Sequence, residues 1–189
     1  VLHFLAVARA AEVDFTMADI DRLSRKTPCV CKVAPSSSYH VEDVSRAGGI
    51  PVIMGELMRA GLIAESPATV SGDPMGAQVR KNDIRSDSGE VTALARRRAL
   101  AAPGGKVCLK GMSQGNWYDA PDTDAVTGAI RDIEHAYSTD GGLCVLFGNL
   151  AEDGCIVKTA GVDSSIMTFC GRAVVCDSQE QAIQLILNK

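Results

Sequence analysis

The chain has 189 residues, room for one domain of ordinary size or parts of two. Apolar residues make up 46% and aromatics only 4%, so its core must be aliphatic. A net charge of −4 gives no electrostatic footprint for nucleic acid or an anionic membrane, and no run approaches the roughly 18 apolar residues of a membrane span.

In chain order, Val1 to Glu12 carries Leu2, Leu5 and Ala6 at helical spacing. The run is apolar nearly all round, which predicts a buried helix with His3 in the core or at its boundary. It opens without a Met, an N-cap or the basic n-region of a signal peptide, and Lys189 follows almost directly on a helix end. The expectation is a piece of a longer protein. Thr16-Met-Ala-Asp19 is a capping box opening a short helix that ends near Arg25-Lys26, where two cations suit the helix dipole. After Pro28, Cys29-Val-Cys-Lys-Val33 reads as a strand. Pro35-Ser-Ser-Ser38 is a loop, and Tyr39 to Ala47 a helix stopped by Gly48-Gly49. Pro51 suits the first turn of a second helix, Val52 to Ala60, which Gly61 ends. His40, Glu42 and Asp43 cluster at a helix start beside a Ser-rich loop, where they can do acid–base work or simply cap the helix.

From Glu65 to Lys110 the pattern is least legible. Gly72-Asp-Pro-Met-Gly76 and Ala102-Pro-Gly-Gly105 are turns, and Arg80 to Arg98 mixes charges without a period. Arg96-Arg97-Arg98 reads as a solvated face. Trp117, the only Trp, reads as a packing anchor. Asp119, Asp122 and Asp124 hint at a metal loop but lack the central Gly and closing Glu of a calcium site. Gly128 to Ser138 has helical spacing, with Ile130, Ile133, Glu134 and Tyr137 on one face. Leu143 to Phe147, a loop from Asn149 to Gly154, and Cys155 to Ala160 read as strand, loop, strand. Asp163 to Thr168 is a turn or short helix, and Ala173 to Cys176 another strand. Ser178-Gln-Glu-Gln181 is a capping box opening an amphipathic helix to Leu187. The cysteines are Cys29, Cys31, Cys108, Cys144, Cys155, Cys170 and Cys176, an odd number in apolar contexts. They read as reduced thiols, and Cys29 and Cys31 as structural, because C-x-C is not the usual metal spacing.

Three stretches carry a family resemblance: Tyr39-His-Val-Glu-Asp-Val-Ser-Arg-Ala-Gly-Gly-Ile-Pro51, the run Glu134-His-Ala-Tyr-Ser-Thr-Asp-Gly-Gly-Leu143, and Gly148 to Val162. The chain resembles the dihydroxy-acid/6-phosphogluconate dehydratases over about 1–72 and about 113–189. The likeness is closest to the dihydroxy-acid branch, although Arg172 stands where many members have Pro. The resemblance implies an α/β fold. Residues 1–72 would end an α/β N-terminal domain, 73–112 would connect, and 113–189 would start a β-barrel-like C-terminal domain. It implies dehydration of a 2,3-dihydroxy acid to a 2-keto acid in valine and isoleucine synthesis, by a bacterial cytoplasmic homodimer using an iron–sulfur cluster and Mg²⁺. The family's cluster, Mg²⁺ and catalytic motifs are not found in this chain, so it is expected to be inactive alone and to hold neither cofactor. The one substrate-binding residue expected here is His40. A sugar-acid dehydratase of the same family and a non-catalytic binding module are the alternatives.

Overall fold

The computed structural model describes residues 1–102 and 115–188, with the Leu2 side chain left out of account. The fold is mixed α/β. Its elements are α1 (Leu2–Ala10), α2 (Met17–Lys26), α3 (Val41–Arg46), α4 (Ile50–Arg59), α5 (Met75–Asn82), α6 (Ala93–Ala99), β1 (Leu143–Gly148), β2 (Ala151–Lys158), a 3-10 turn (Ser164–Ile166) and α7 (Gln179–Leu187).

Local sequence chemistry explains the helix ends. The Asp19 carboxylate accepts from both the backbone N–H and the hydroxyl of Thr16, at 2.9 Å each, which starts α2. Ser178 accepts from the Gln181 N–H at 3.2 Å and starts α7, while Gln181 reaches back to the Asp177 N–H at 2.9 Å. Pro51 sits in the first turn of α4 as expected, and the Asp163–Thr168 stretch holds the expected short 3-10 turn.

The core is small and aliphatic. Val44 and Ala47 beside α3, Val52 of α4, and Ala129 and Ile130 from far along the chain form one buried cluster, with Tyr39, Ile53, Ile84 and Cys31 packed against it. Residues from both ends of the chain therefore close a single core. Next to it lies a charge network. Asp83 and Glu56 are buried, and so is the Arg85 side chain. Arg59 binds Asp83 at 2.6 Å and Glu56 at 2.9 Å, and Arg85 approaches Glu56 at 3.5 Å. Arg85 also donates to the carbonyls of Ile130 (3.0 Å) and Asp124 (3.2 Å). Two guanidinium groups and two carboxylates balance, which is what lets these charges leave water.

Helices α5 and α6 lie in the stretch that showed no period. α5 packs on α4, and α6 contacts α3 and α5. Arg96, Arg97 and Arg98 do form a solvated face of α6, and Arg97 stacks over the Trp117 ring at 4.7 Å. The turn expected at Ala102 to Gly105, apart from Ala102 itself, and Cys108 lie outside the described residues.

Five expectations need correcting. Helix α1 is not buried: Phe4 and Val7 stand largely in solvent and His3 is exposed. Cys29 to Val33 is extended but forms only isolated bridges, Cys29 to Ser138 and Cys31 to Ile130. Residues 128–138 are not a helix. Two of their amides go to distant carbonyls, Arg131 N–H to Val30 (2.8 Å) and Tyr137 N–H to Cys29 (2.8 Å), while the His135 N–H goes to the Asp132 carboxylate (2.9 Å) and the Ala136 N–H to the Ile133 carbonyl (3.4 Å), so these donors make no i to i−4 ladder. The loop after β1 is shorter than expected. Gly148 pairs with Ala151, and β1 and β2 form an antiparallel hairpin whose register shifts around Phe147. Ala173 to Cys176 joins no ladder among the described residues, and Val174 and Val175 are exposed.

Gly55 offers a direct test of the charge network. A Cβ there would collide with the Asp83 carboxylate. Gly→Ala inside a helix normally stabilises by about 1 kcal/mol. Here Gly55→Ala should instead destabilise by about 2 kcal/mol in urea unfolding, because overpacking displaces Asp83 from Arg59. Equal or greater stability would show that the network is not tightly packed.

Candidate functional site

The site that the sequence singles out is the start of α3. His40 is its N-cap, with an exposed side chain, and its backbone N–H donates to the Asp43 carboxylate at 2.7 Å. Asp43 therefore serves the cap, while Glu42 stands in solvent. His40 ends a loop that is closed on itself. The Ala34 N–H donates to the Tyr39 carbonyl at 2.7 Å, the Ser37 hydroxyl to the Lys32 carbonyl at 2.8 Å, and the Tyr39 N–H to the Ser37 hydroxyl at 3.1 Å.

The C-terminal half of the chain borders this loop. The Tyr39 hydroxyl donates to the Thr127 carbonyl at 2.8 Å. Thr127 is in turn held by Asp124, whose carboxylate accepts from the amides of Val126 (2.8 Å) and Thr127 (2.9 Å) and from the Thr127 hydroxyl. These bonds to Thr127 and Val126 hold the Asp124 carboxyl down at about 2. Asp122 accepts from the Asp124 N–H at 3.0 Å. Asp122 and Asp124 thus organise backbone in the described structure. On the other flank, the turn after β2 brings Gly161 against Ser36.

A second seam joins the halves at α2. The Ser24 hydroxyl donates to the Leu143 carbonyl (2.8 Å) and lies 3.1 Å from the Leu143 N–H, and the Ser24 carbonyl accepts from Gly141 (2.8 Å). Asp21 accepts from the Val145 N–H at 3.0 Å; the hydrogen bond from Arg25, then that amide, holds its carboxyl below the usual range.

The thiols are described with one exception, Cys108. Cys29 donates weakly to the Cys31 carbonyl at 3.4 Å, and burial pushes the Cys31 thiol up, with the neighbouring Cys29 adding to it. Both behave as structural groups. Among the described residues no three His, Cys, Asp or Glu side chains gather in a way that could hold a metal ion. Also among the described residues, no helix is long and apolar enough to cross a membrane.

Residues 1–78 match the family model for the N-terminal part of the dihydroxy-acid/6-phosphogluconate dehydratases, and residues 128–189 match that for the C-terminal part. The chain belongs to this dehydratase family. Among the described residues the two family parts meet in the core, where Ala129 and Ile130 complete the α3–α4 cluster, at the bridges of Cys29 with Ser138 and Cys31 with Ile130, and along α2 and β1; the Tyr39–Thr127 bond beside His40 falls one residue before the C-terminal match. Sequence reading placed His40 but passed over Asp83 and Arg85. The only available signal was an isolated Asp-Ile-Arg in a charged stretch, which points to nothing without the fold.

The lowered pKa of Asp124 gives a pH test at this site. Its folded-state carboxyl titrates near 2 against an ordinary value of 3.8, so the stability it contributes is present above pH 4 and lost as pH falls toward 2. Urea midpoints of the parent chain and Asp124→Ala should differ at neutral pH and converge over that window. A gap that stays constant down to pH 2 would contradict the assigned role.

Proposed function

We propose that this family member works as a dihydroxy-acid dehydratase, a hydro-lyase that removes water from a branched 2,3-dihydroxy acid to give the 2-keto acid used in valine and isoleucine synthesis. The observation that carries the reading is the ordered match of both family parts, joined in one structure around the loop that ends in His40. The Glu134 to Leu143 and Gly148 to Val162 stretches favour the dihydroxy-acid branch over the sugar-acid branch.

His40 is the substrate-side residue in this proposal. Its imidazole is exposed and can donate to a carboxylate or hydroxyl, and its backbone is fixed by the Asp43 cap and by the closed Ser-rich loop. The iron–sulfur cluster and Mg²⁺ belong to the same proposal. When bound they supply Lewis-acid activation of a hydroxyl. Their ligands would come from segments of the natural protein other than the residues described here, and the working unit would be a cytoplasmic homodimer.

The test compares two polypeptides prepared anaerobically and reconstituted with iron and sulfide: residues 1–189 alone, and the natural protein that contains them. The natural protein should take up a visible chromophore and dehydrate a branched 2,3-dihydroxy acid in preference to a phosphorylated sugar acid. The 189-residue chain should do neither. Preference for the sugar acid would assign the other branch of the family. A stable chromophore on the short chain would overturn the placement of the cluster.

A further inference from the structure

The loop that presents His40 is closed by its own hydrogen bonds and is held, in addition, by distant parts of the chain. Between Ala34 and His40 it offers Ser36, Ser37 and Ser38, none of which anchors it by apolar burial. Its one large side chain, Tyr39, packs its ring against the buried cluster of Val44, Ala47, Val52, Ala129 and Ile130. The Tyr39 hydroxyl then spans 88 residues to donate to the Thr127 carbonyl. That carbonyl is itself held in place by Asp124, and the carbonyl of Asp124 accepts from Arg85 at 3.2 Å. At the other flank, Gly161 (φ +87) comes so close to Ser36 that an added Cβ would stand 2.9 Å from the Ser36 hydroxyl. The residue directly before His40 is thus fixed by the chain around 124–127, and the loop's outer edge by the turn after β2.

We propose that Tyr39 is a positioning residue for His40, and that the contact of Gly161 with Ser36 is the second half of the same grip. The C-terminal part of the chain then sets substrate affinity without touching substrate. The inference rests on the reading of His40 as the substrate-side residue. Tyr39→Phe removes one hydroxyl and keeps the ring, so the core contacts survive.

The experiment is a double-mutant cycle in the natural full-length enzyme, loaded with its cofactors and assayed with the branched 2,3-dihydroxy acid. Losing this one exposed hydrogen bond should raise KM about threefold in Tyr39→Phe with kcat unchanged, since the hydroxyl acts on binding geometry alone. On a His40→Ala background the same change should have no further effect on KM. Gly161→Ala adds a Cβ against Ser36 but also strains its own backbone at φ +87, so it is paired with Gly161→Ala/Ser36→Gly, which keeps the strain and removes the clash: KM should rise in the first and fall back in the second. An unchanged KM in both Tyr39→Phe and Gly161→Ala, or an equal increase on the His40→Ala background, would overturn the positioning role. If His40→Ala itself leaves KM unchanged, the His40 reading fails first, and the positioning role fails with it. If His40→Ala raises KM and the other two do not, only the positioning role fails.

Discussion

The rest of the structure depends on how three buried charges, Asp83, Glu56 and Arg85, are balanced with the half-exposed Arg59 beside them. Asp83 is 1% exposed and Glu56 6%, yet each faces a guanidinium within hydrogen-bonding range or close to it. Partial burial works against the Arg59 charge, but the hydrogen bonds it donates to Glu56 and Asp83 prevail and hold Arg59 above the ordinary arginine range. A buried pair of this kind adds little net stability, but removing one member strands the other at a cost of about 3–5 kcal/mol. Its value here is in specification. The two terminal nitrogens of Arg85 meet Glu56 of α4 and the carbonyls of Asp124 and Ile130 together, while its buried Nε is left without a partner. One residue from the stretch between the two family parts therefore registers both of them.

The candidate site inherits its order from this arrangement. Arg85 fixes the 124–130 segment, Asp124 fixes Thr127, and Thr127 receives the Tyr39 hydroxyl one residue before His40. Each link is a hydrogen bond to a backbone carbonyl or amide, so the chain of contacts sets main-chain position, which is what a binding side chain needs beneath it. The clamp of Ser24 and Asp21 on β1 makes a parallel link at the other end of the N-terminal part. Such links transmit placement between the two family parts.

Features governed by neighbours in sequence were legible before the fold was known. The caps at Thr16 and Ser178, the Pro51 start and the solvated arginine face of α6 follow from contacts within four residues, and the hairpin strands from short apolar runs between turn residues, although β2 starts earlier than its run implies. Features settled by distant partners were not. Residues 128–138 carry a helical pattern, but Val30 and Cys29 claim their amides. Helix α1 has the composition of a buried helix and stands exposed in the described structure. The charges between Arg80 and Arg98 looked aperiodic because Asp83 and Arg85 face inward, so the usual rule that charge marks the surface inverts there. His40 could be singled out from its place beside a Ser-rich loop, whereas Tyr39 and Gly161 acquire meaning only from Thr127 and Ser36.

The central claim is that the two family parts are one cooperative unit registered by Arg85. Native-state amide hydrogen exchange on Arg85→Lys tests it most directly, because lysine keeps the charge but cannot reach two carbonyls and Glu56 at once. The claim predicts that the amides of Arg131 and Tyr137, which donate to Val30 and Cys29, lose protection together with those of α4. If Arg131 and Tyr137 keep their protection in the variant, the two parts are held together by something other than Arg85, and the claim fails.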